Sequence, residues 1–452
     1  MDIAGIEKRL SEHNINKIKV GGFDLDGVLR GKYISREKFL SAAKDGFGFC
    51  DVVFGWDCDD STYDRGQYTG WHTGFPDLLA RLDLETFRLV PWEARTAFAL
   101  ADFYQKDNTP LPLCPRQTLK RIVAQAEGMG YSPRMAAEYE FFLFEETPAT
   151  LQEKDFRGLK PESPGMFGYS LLRTAARTEF IHQVVDSLAD FGIEVEGIHT
   201  ESGPGAFEAC IRYADALTAA DAAGLFKLVV KELAGKLGLV ATFMAKWNQE
   251  MPGNGGHIHQ SLLDAESGSN AFADLGGAYG ASDIARHYIA GQQQALPELM
   301  PLVCPTINSY KRLVPGFWAP TAATWGVENR TNALRFIPGS SPKATRVETR
   351  VVGADACPHL AMAACLAAGL HGIQQRLEPT PPTVGNAYAD STAPTLPRTL
   401  SAATDRMQQS ALARTWFGEE FVAHVCMSRD WECREFEKAV TDWELRRYFE
   451  II

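Results

Sequence analysis

Met135-Ala136-Ala137-Glu138-Tyr139-Glu140-Phe141-Phe142-Leu143-Phe144 reads as a strand that carries two carboxylates on one face. Residues two apart in a strand share a side, so Glu138 and Glu140 point together, away from Tyr139, Phe141 and Leu143. Two like charges on an otherwise apolar strand repel and are poorly solvated. The cost is on the order of several kcal/mol unless a cation, water or a basic group meets them. A solvated surface strand is the ordinary setting for paired Glu, but the Phe-Phe-Leu-Phe run that follows argues for burial, and burial calls for a cation.

The same period-two pattern returns three times downstream. Ile193-Glu194-Val195-Glu196-Gly197-Ile198-His199-Thr200-Glu201 alternates, with Glu208 beyond Ser202-Gly203-Pro204-Gly205. Gly256-His257-Ile258-His259-Gln260-Ser261 places two imidazoles on one face, and Arg346-Val347-Glu348-Thr349-Arg350-Val351 places Arg, Glu and Arg together. One such strand means one face in water; four bearing Glu, His and Arg suggest strands lining a shared polar cavity. Carboxylate oxygens with a little imidazole suit magnesium or manganese, and no thiolate set points to zinc. Arg beside such a metal suits phosphate.

Composition sets wide bounds. At 452 residues, 45% hydrophobic and 23% charged, the chain is long enough for two or more domains of ordinary globular character. A formal net charge of -12 argues against general binding of nucleic acid or anionic membrane and is compatible with a cationic substrate such as an amine. Nine cysteines, scattered and without a CxxC pair, favour reduced thiols in a cytoplasmic protein. Charges at Asp2, Glu7, Lys8 and Arg9 stand where a secretory signal needs an apolar core, and no apolar run is long enough to span a bilayer. The expectation is a soluble intracellular protein.

Along the chain, residues 2–13 have helical spacing and residues 18–28 read as a strand. Phe23-Asp24-Leu25-Asp26-Gly27-Val28 has two readings: the nucleophile strand of a haloacid-dehalogenase-type phosphatase, or a hairpin whose Asp-Gly satisfies turn geometry. The hairpin is preferred, since Leu29-Arg30-Gly31-Lys32-Tyr33-Ile34 follows as a return strand with no helix-sized crossover. Residues 46–75 look like a loop, and an N-terminal domain closes near residue 110. The second domain is expected to hold helices over 115–128, 174–191, 213–237, 281–296 and 359–373. It also holds a strand over 241–247, a surface loop over 145–167 and a Pro-rich linker or lid over 380–397. The apolar 359–373 helix is given no site. A dense polar stretch, Asn308-Ser309-Tyr310-Lys311-Arg312-Leu313-Val314-Pro315-Gly316-Phe317-Trp318-Ala319-Pro320, precedes Glu328-Asn329-Arg330 and Arg335. Loop-borne Lys and Arg beside Gly and Pro fit a clamp for phosphate or carboxylate.

In order and in spacing, these segments resemble the glutamine synthetase family over most of the chain. The resemblance implies an α+β fold: a small β-grasp domain over 1–109, then a catalytic domain over 110–452 whose curved antiparallel sheet forms an open funnel. It implies a ring-built homo-oligomer, commonly a dodecamer, with active sites between subunits, and it turns Asp24 and Asp26 into part of the β-grasp hairpin. Carried over residue by residue, it gives Glu140, Glu201 and Glu208 one divalent metal, and Glu138, His257 and Glu348 a second, each Mg2+ or Mn2+. His259, Ser261 and Glu196 match nucleotide contacts, and Arg330, Arg335 and Arg346 match groups around the ATP phosphates. Arg312 and Arg350 match residues that grip glutamate, with Gly253 lending backbone contacts. The implied chemistry is ATP-dependent: glutamate becomes γ-glutamyl phosphate, and an amine displaces phosphate to leave an amide.

One position departs from the family. In ammonia-using members a flap Glu lies six residues after the Arg of Lys-Arg-Leu-Val-Pro-Gly; here that residue is Trp318. Trp excludes water and offers an aromatic face, but it is no base. The family's ammonium-binding Asp matches Asp57, with Asp59 or Asp60 as alternatives. The expectation is therefore a γ-glutamyl-amide ligase acting on an alkyl or aromatic monoamine. Ordinary glutamine synthetase, a γ-glutamylpolyamine synthetase and a non-catalytic relative stand as alternatives. No adenylylation is expected at Tyr388, the nearest match to the tyrosine that some bacterial glutamine synthetases present for it.

Overall fold

The computed structural model describes residues 2–390 and 393–452. Its first part is a six-stranded sheet. Lys17–Phe23 and Leu29–Ser35 form an antiparallel hairpin, and Lys17–Phe23 also runs parallel to Thr96–Tyr104. Asp24 shapes the turn of that hairpin: its Oδ1 accepts from the backbone N–H of Asp26 and of Val28 at 3.0 and 2.9 Å. The hairpin reading of Phe23-Asp24-Leu25-Asp26-Gly27 holds, and no phosphatase crossover follows it.

The larger part is built on a nine-stranded sheet curled into a half-barrel, matching the expected α+β funnel. Its strand order is Trp325–Val327, Leu334–Ile337, Arg346–Thr349, Gly256–Asp264, Tyr131–Phe144, Ala206–Ile211, Val195–Thr200. The 14-residue strand Tyr131–Phe144 is central, and Ala214–Asp215 and Val240–Thr242 also pair with it. Burial alternates along it: Pro133, Met135, Ala137, Tyr139 and Phe141 are buried, whereas Arg134, Ala136, Glu138 and Glu140 are partly open. The buried face packs on the Ala216–Lys236 helix, where Tyr139 stacks on Phe226 with rings 6.1 Å apart. Each such side chain contributes about 1.5–3 kcal/mol of apolar burial, and that anchorage obliges the two Glu to face the concave side.

The Pro358–Gln375 helix is apolar all round and buried. Its buried His359 is part of a cluster that ties the two sheets together. Arg116 Nε and Nη2 donate to the two oxygens of Asp221 at 2.8 and 2.7 Å. Nη1 donates to Asp102 at 2.9 Å and Nη2 to Asp83 at 2.8 Å, while Lys120 holds the second oxygen of Asp102. His359 Nε2 lies 2.8 Å from Asp221 Oδ1.

Several sequence expectations change in detail. The 174–191 helix is two helices, Leu171–Ala175 and Thr178–Asp190. At Arg177 the backbone leaves helical geometry (φ -120°, ψ 32°), and its guanidinium reaches Glu145 and Glu162. The 241–247 strand ends at Thr242, because Asn254 Nδ2 takes the carbonyls of Thr242 and Met244 in place of a neighbouring strand. The 281–296 helix runs on to Val303 through Pro297 and Pro301, its last turns buried in the core. Within 46–75, Phe47–Cys50 is a strand paired with Asp77–Leu82, and within 145–167, Pro148–Glu153 is a helix.

Candidate active site

Strand register, not nearness in sequence, assembles the polar residues. Along one edge of the central strand Glu138 stands opposite His257. Along the other edge Glu138 stands opposite Cys210 and Glu140 opposite Glu208. One strand further out, His259 faces Glu348, Arg335 faces Glu348 from the opposite side, and His199 faces Glu208. Cross-strand neighbours lie about 4.5–5.5 Å apart at Cβ, close enough for their side chains to share one ion.

His257 Nδ1 lies 3.1 Å from Glu138 Oε1 and 3.5 Å from Glu348 Oε1, and His259 Nε2 lies 3.4 Å from Glu138 Oε2. Burial works to raise the Glu138 pKa, but hydrogen bonds from the two imidazoles outweigh it and hold the carboxyl well below its usual range. Glu348, buried likewise, is pulled down to about 2 by Arg350 and both imidazoles. Glu201 and Glu208 share a single imidazole, that of His199, which does not outweigh their burial. Glu208 is pushed up to about 6, by burial first and then by Glu138 and Glu140. Burial, with Glu140 beside it, also raises Glu201. His199 spans these two acids, with Nε2 3.0 Å from Glu208 and Nδ1 3.9 Å from Glu201, and stacks on Tyr169 at 4.3 Å.

This wall is short of positive charge in the way a cation site is. Three groups bring a nitrogen or oxygen donor from each member within 4.8 Å of one another: Glu140 with Glu208 and His257, Glu138 with His259 and Glu348, and His199 with Glu201 and Glu208. Oxygen donors with some imidazole suit Mg2+ or Mn2+. Cys210 sits beside Glu138 and Glu208, but burial raises its pKa far above the ordinary range and keeps it a thiol that donates to Glu138 at 3.5 Å.

Two hollows meet at Glu138. One, of about 470 Å³, gathers Glu138, Glu140, Glu201, Glu208 and His257 with Gly253, Arg312, Arg330, Arg335 and Arg350, and is bounded by Phe317 and Trp318. The other, of about 330 Å³, holds Glu196, His259, Ser261 and Arg346. Glu348 lies at the base of the wall, bonded to Arg335 and Arg350. Strict alternation would put Glu196 and Glu201 on opposite faces. A β-bulge between Val195 and Gly197 inserts Glu196 as an extra residue, so both serve the concave side.

The arginines differ in what they hold. Arg312 is buried and spends its guanidinium on the carbonyls of Arg350 and Val351 at 2.8 and 3.0 Å. Arg330 is exposed, and among the described residues neither it nor Arg312 has a carboxylate partner. A Cβ on Gly253 would stand 2.2 Å from Ala245 O and 2.9 Å from Arg312 Cγ, so only glycine lets the backbone pass beside that guanidinium. Trp318 has φ 60°, a left-handed conformation costing roughly 1–2 kcal/mol for a residue with a Cβ. The preceding Phe317 ring covers the Lys246 ammonium at 4.0 Å.

Asp57 lies in neither hollow. Its Oδ1 accepts from the N–H of Asp59 and of Ser61, both at 2.9 Å, and its Oδ2 accepts from Trp431 Nε1 at 2.8 Å. A groove of about 560 Å³ nearby, between Arg65–Tyr68 and the Glu419–Glu437 helix, carries none of the expected site residues. Sequence pattern alone assigns no role to His199 or Tyr169. The alternating 193–201 segment contained His199, but only its register against Glu208 reveals the contact.

Residues 112–448 match the family described as glutamine synthetase, catalytic domain. Type-1 glutamine synthetase 2 of Dictyostelium discoideum is 47% identical over 439 residues, covering 96% of this chain and 84% of the relative. Glutamate–isopropylamine ligase of a Pseudomonas species is 39% identical over 448 residues, 98% of this chain and 97% of that one. Gamma-glutamylethanolamide synthetase of Streptomyces coelicolor is 41% identical over 428 residues, 94% and 91%. The solved structure described as apo GmaS without ligand superposes with a TM-score of 0.86 at 29% identity, covering 99% of each chain. The chain belongs to the glutamine synthetase family, whose members are ATP-dependent carbon–nitrogen ligases that use divalent metals.

Proposed function

We propose that this protein joins the γ-carboxylate of glutamate to a primary organic monoamine, with γ-glutamyl phosphate as the intermediate and ATP as phosphoryl donor. The observation that carries the reading is Trp318, an apolar side chain at the edge of the acidic hollow where ammonia-using relatives place a flap Glu. Relatives named as a glutamate–isopropylamine ligase and a gamma-glutamylethanolamide synthetase support it.

In this reading Arg312 and Arg350, with the Gly253 backbone, hold the carboxylate of glutamate, which supplies the anion that the buried Arg312 lacks. Glu196, His259 and Ser261 hold the nucleotide in the smaller hollow, and Arg346 and Arg335 meet its phosphates. Glu140, Glu201 and Glu208 would hold one divalent ion and Glu138, His257 and Glu348 a second. Once bound, those ions neutralise charge on the phosphoryl group in transfer. Arg330 reaches the same group from the open side, and His199 fixes the orientation of Glu208. Phe317 and Trp318 keep water from the acyl phosphate. Trp318 takes no proton, so a weakly basic amine that arrives neutral suits this site. Asp57 is proposed to serve the amine site of a neighbouring copy in a ring, a dodecamer being the expected assembly.

A second reading, glutamine synthesis from ammonia, is favoured by the 47% identical relative. Phosphate release with ATP and glutamate, measured with ammonium against a panel of amines, decides between them. An organic amine is expected to exceed ammonium in kcat/KM by about tenfold or more; equal or better use of ammonium selects the second reading. Trp318→Glu is expected to raise ammonium use relative to amines.

A further inference from the structure

Trp318 is a partition. Together with Arg330 it also lines a third hollow, of about 490 Å³, whose apolar walls are Tyr279, Val327, Pro382 and Val384. Tyr279, Trp318 and Val384 are 57%, 59% and 92% exposed. Single exposed apolar side chains are ordinary, but several converging on one concave place mark a binding surface.

The walls are fixed by hydrogen bonds. Thr383 N–H donates to Trp325 O at 2.8 Å, which seats the segment on the edge of the sheet. Asn329 Nδ2 donates to Thr383 O and Gly385 O at 3.2 and 2.7 Å. Tyr388 Oη donates to Ala319 O at 3.1 Å, tying the segment to the turn that carries Trp318. Val384 is thus held outward from a pinned backbone. Charge in this hollow is one-sided. Glu328 is the one carboxylate among its described lining residues and is taken by Nε and Nη2 of Arg335, whereas Arg330 presents an unpaired cation. An ammonium placed there meets a like charge and no free acid.

We infer that this annex receives the substituent of the acceptor amine and selects an uncharged, mainly apolar group of several carbons against diamines and polyamines. The inference rests on the glutamate–amine ligase reading. The amine nitrogen attacks the acyl carbon of γ-glutamyl phosphate on the acidic side of Trp318. The C–N bond forms, the acyl C–O bond breaks, phosphate leaves with the electron pair, and the nitrogen gives its proton to water or to the departing phosphate. The substituent meanwhile lies across the Trp318 face against Pro382 and Val384.

The test uses the full chain with ATP, glutamate and Mg2+, following phosphate release with ammonium, hydroxylamine, butylamine, benzylamine and 1,4-diaminobutane at matched free-base concentration. Butylamine and benzylamine are expected to exceed 1,4-diaminobutane in kcat/KM by about tenfold or more. Val384→Asp is expected to reverse that order through KM, and Val384→Trp, which fills the annex, to raise KM for both monoamines. Both variants leave hydroxylamine and ammonium turnover unchanged. If amines react but neither variant alters their ranking, the annex assignment is overturned while the ligase reading stands. A variant that changes the assembly mass without altering the ranking overturns it too, and gives this face to a neighbouring copy. No turnover with any nucleophile overturns the ligase reading itself, and the annex with it.

Discussion

Two buried clusters of charge lie in this molecule, and they are built differently. At the junction of the two sheets, Asp83, Asp102 and Asp221 each touch Arg116, and Asp102 also touches Lys120. On the funnel wall, Glu140, Glu201 and Glu208 have no Lys or Arg partner among the described residues, and the acids that reach one, such as Glu348, sit beside them. A cluster whose charges are matched by its own side chains holds a fold together. One left short of cations waits for something from solution. Perturbed acids occur in both, so the missing counter-charge is the better sign of function.

The largest expected effect breaks the funnel side. Glu138→Gln should lower ATP-dependent phosphate release by on the order of 10³-fold, since it removes a carboxylate common to both hollows. The thermal midpoint without metal should hold or rise in Glu208→Gln, because burial beside Glu138 and Glu140 pushes that carboxyl up to about 6 and its charge opposes folding at neutral pH; a fall would make Glu208 a structural residue like Asp221. Arg116→Met should do the reverse. Stranding three acids costs about 3–5 kcal/mol, seen as a lower urea midpoint and poor soluble yield.

Next in size is the response to metal. Mn2+ at about a hundred times its dissociation constant should stabilise the protein by about 2.7 kcal/mol, and Glu208→Gln should lose most of that gain. An equal gain in the variant would move the ion elsewhere. The smallest effect separates the clusters by pH. Burial works to raise the Asp221 pKa, but Arg116 and His359 pull it down to about 2. A depressed carboxylate stabilises the fold fully above its unfolded value, about 4, and the contribution of about 2 kcal/mol is lost as pH falls towards 2. Urea midpoints between pH 5 and 2.5 should fall more steeply for the parent than for Asp221→Asn.

Much of the wall was legible because its strands alternate. Glu138, Glu140, His257, His259 and Glu348 sit at period-two positions, and antiparallel pairing needs little more than the right register to bring them together. What stayed hidden depended on local departures from that period. The bulge that turns Glu196 inward leaves no mark in a run of Glu, Val and Gly, and the contact of His199 with Glu208 exists only through pairing. The turn at Arg177 follows from two distant carboxylates. The annex needs Pro382 to Gly385 brought beside Trp318, a juxtaposition of segments more than sixty residues apart that no spacing rule encodes.

The central strand also carries a kinetic burden. Tyr131–Phe144 finds its partners among residues 206–264, so one long edge stays unpaired until Ala206–Ile211 has been made and most of the other until Gly256–Asp264 has followed, more than a hundred residues after Phe144. Pairings that distant form slowly, and an open apolar edge is prone to aggregate in the interval. Productive synthesis therefore depends on keeping that strand protected until the ribosome has passed residue 264.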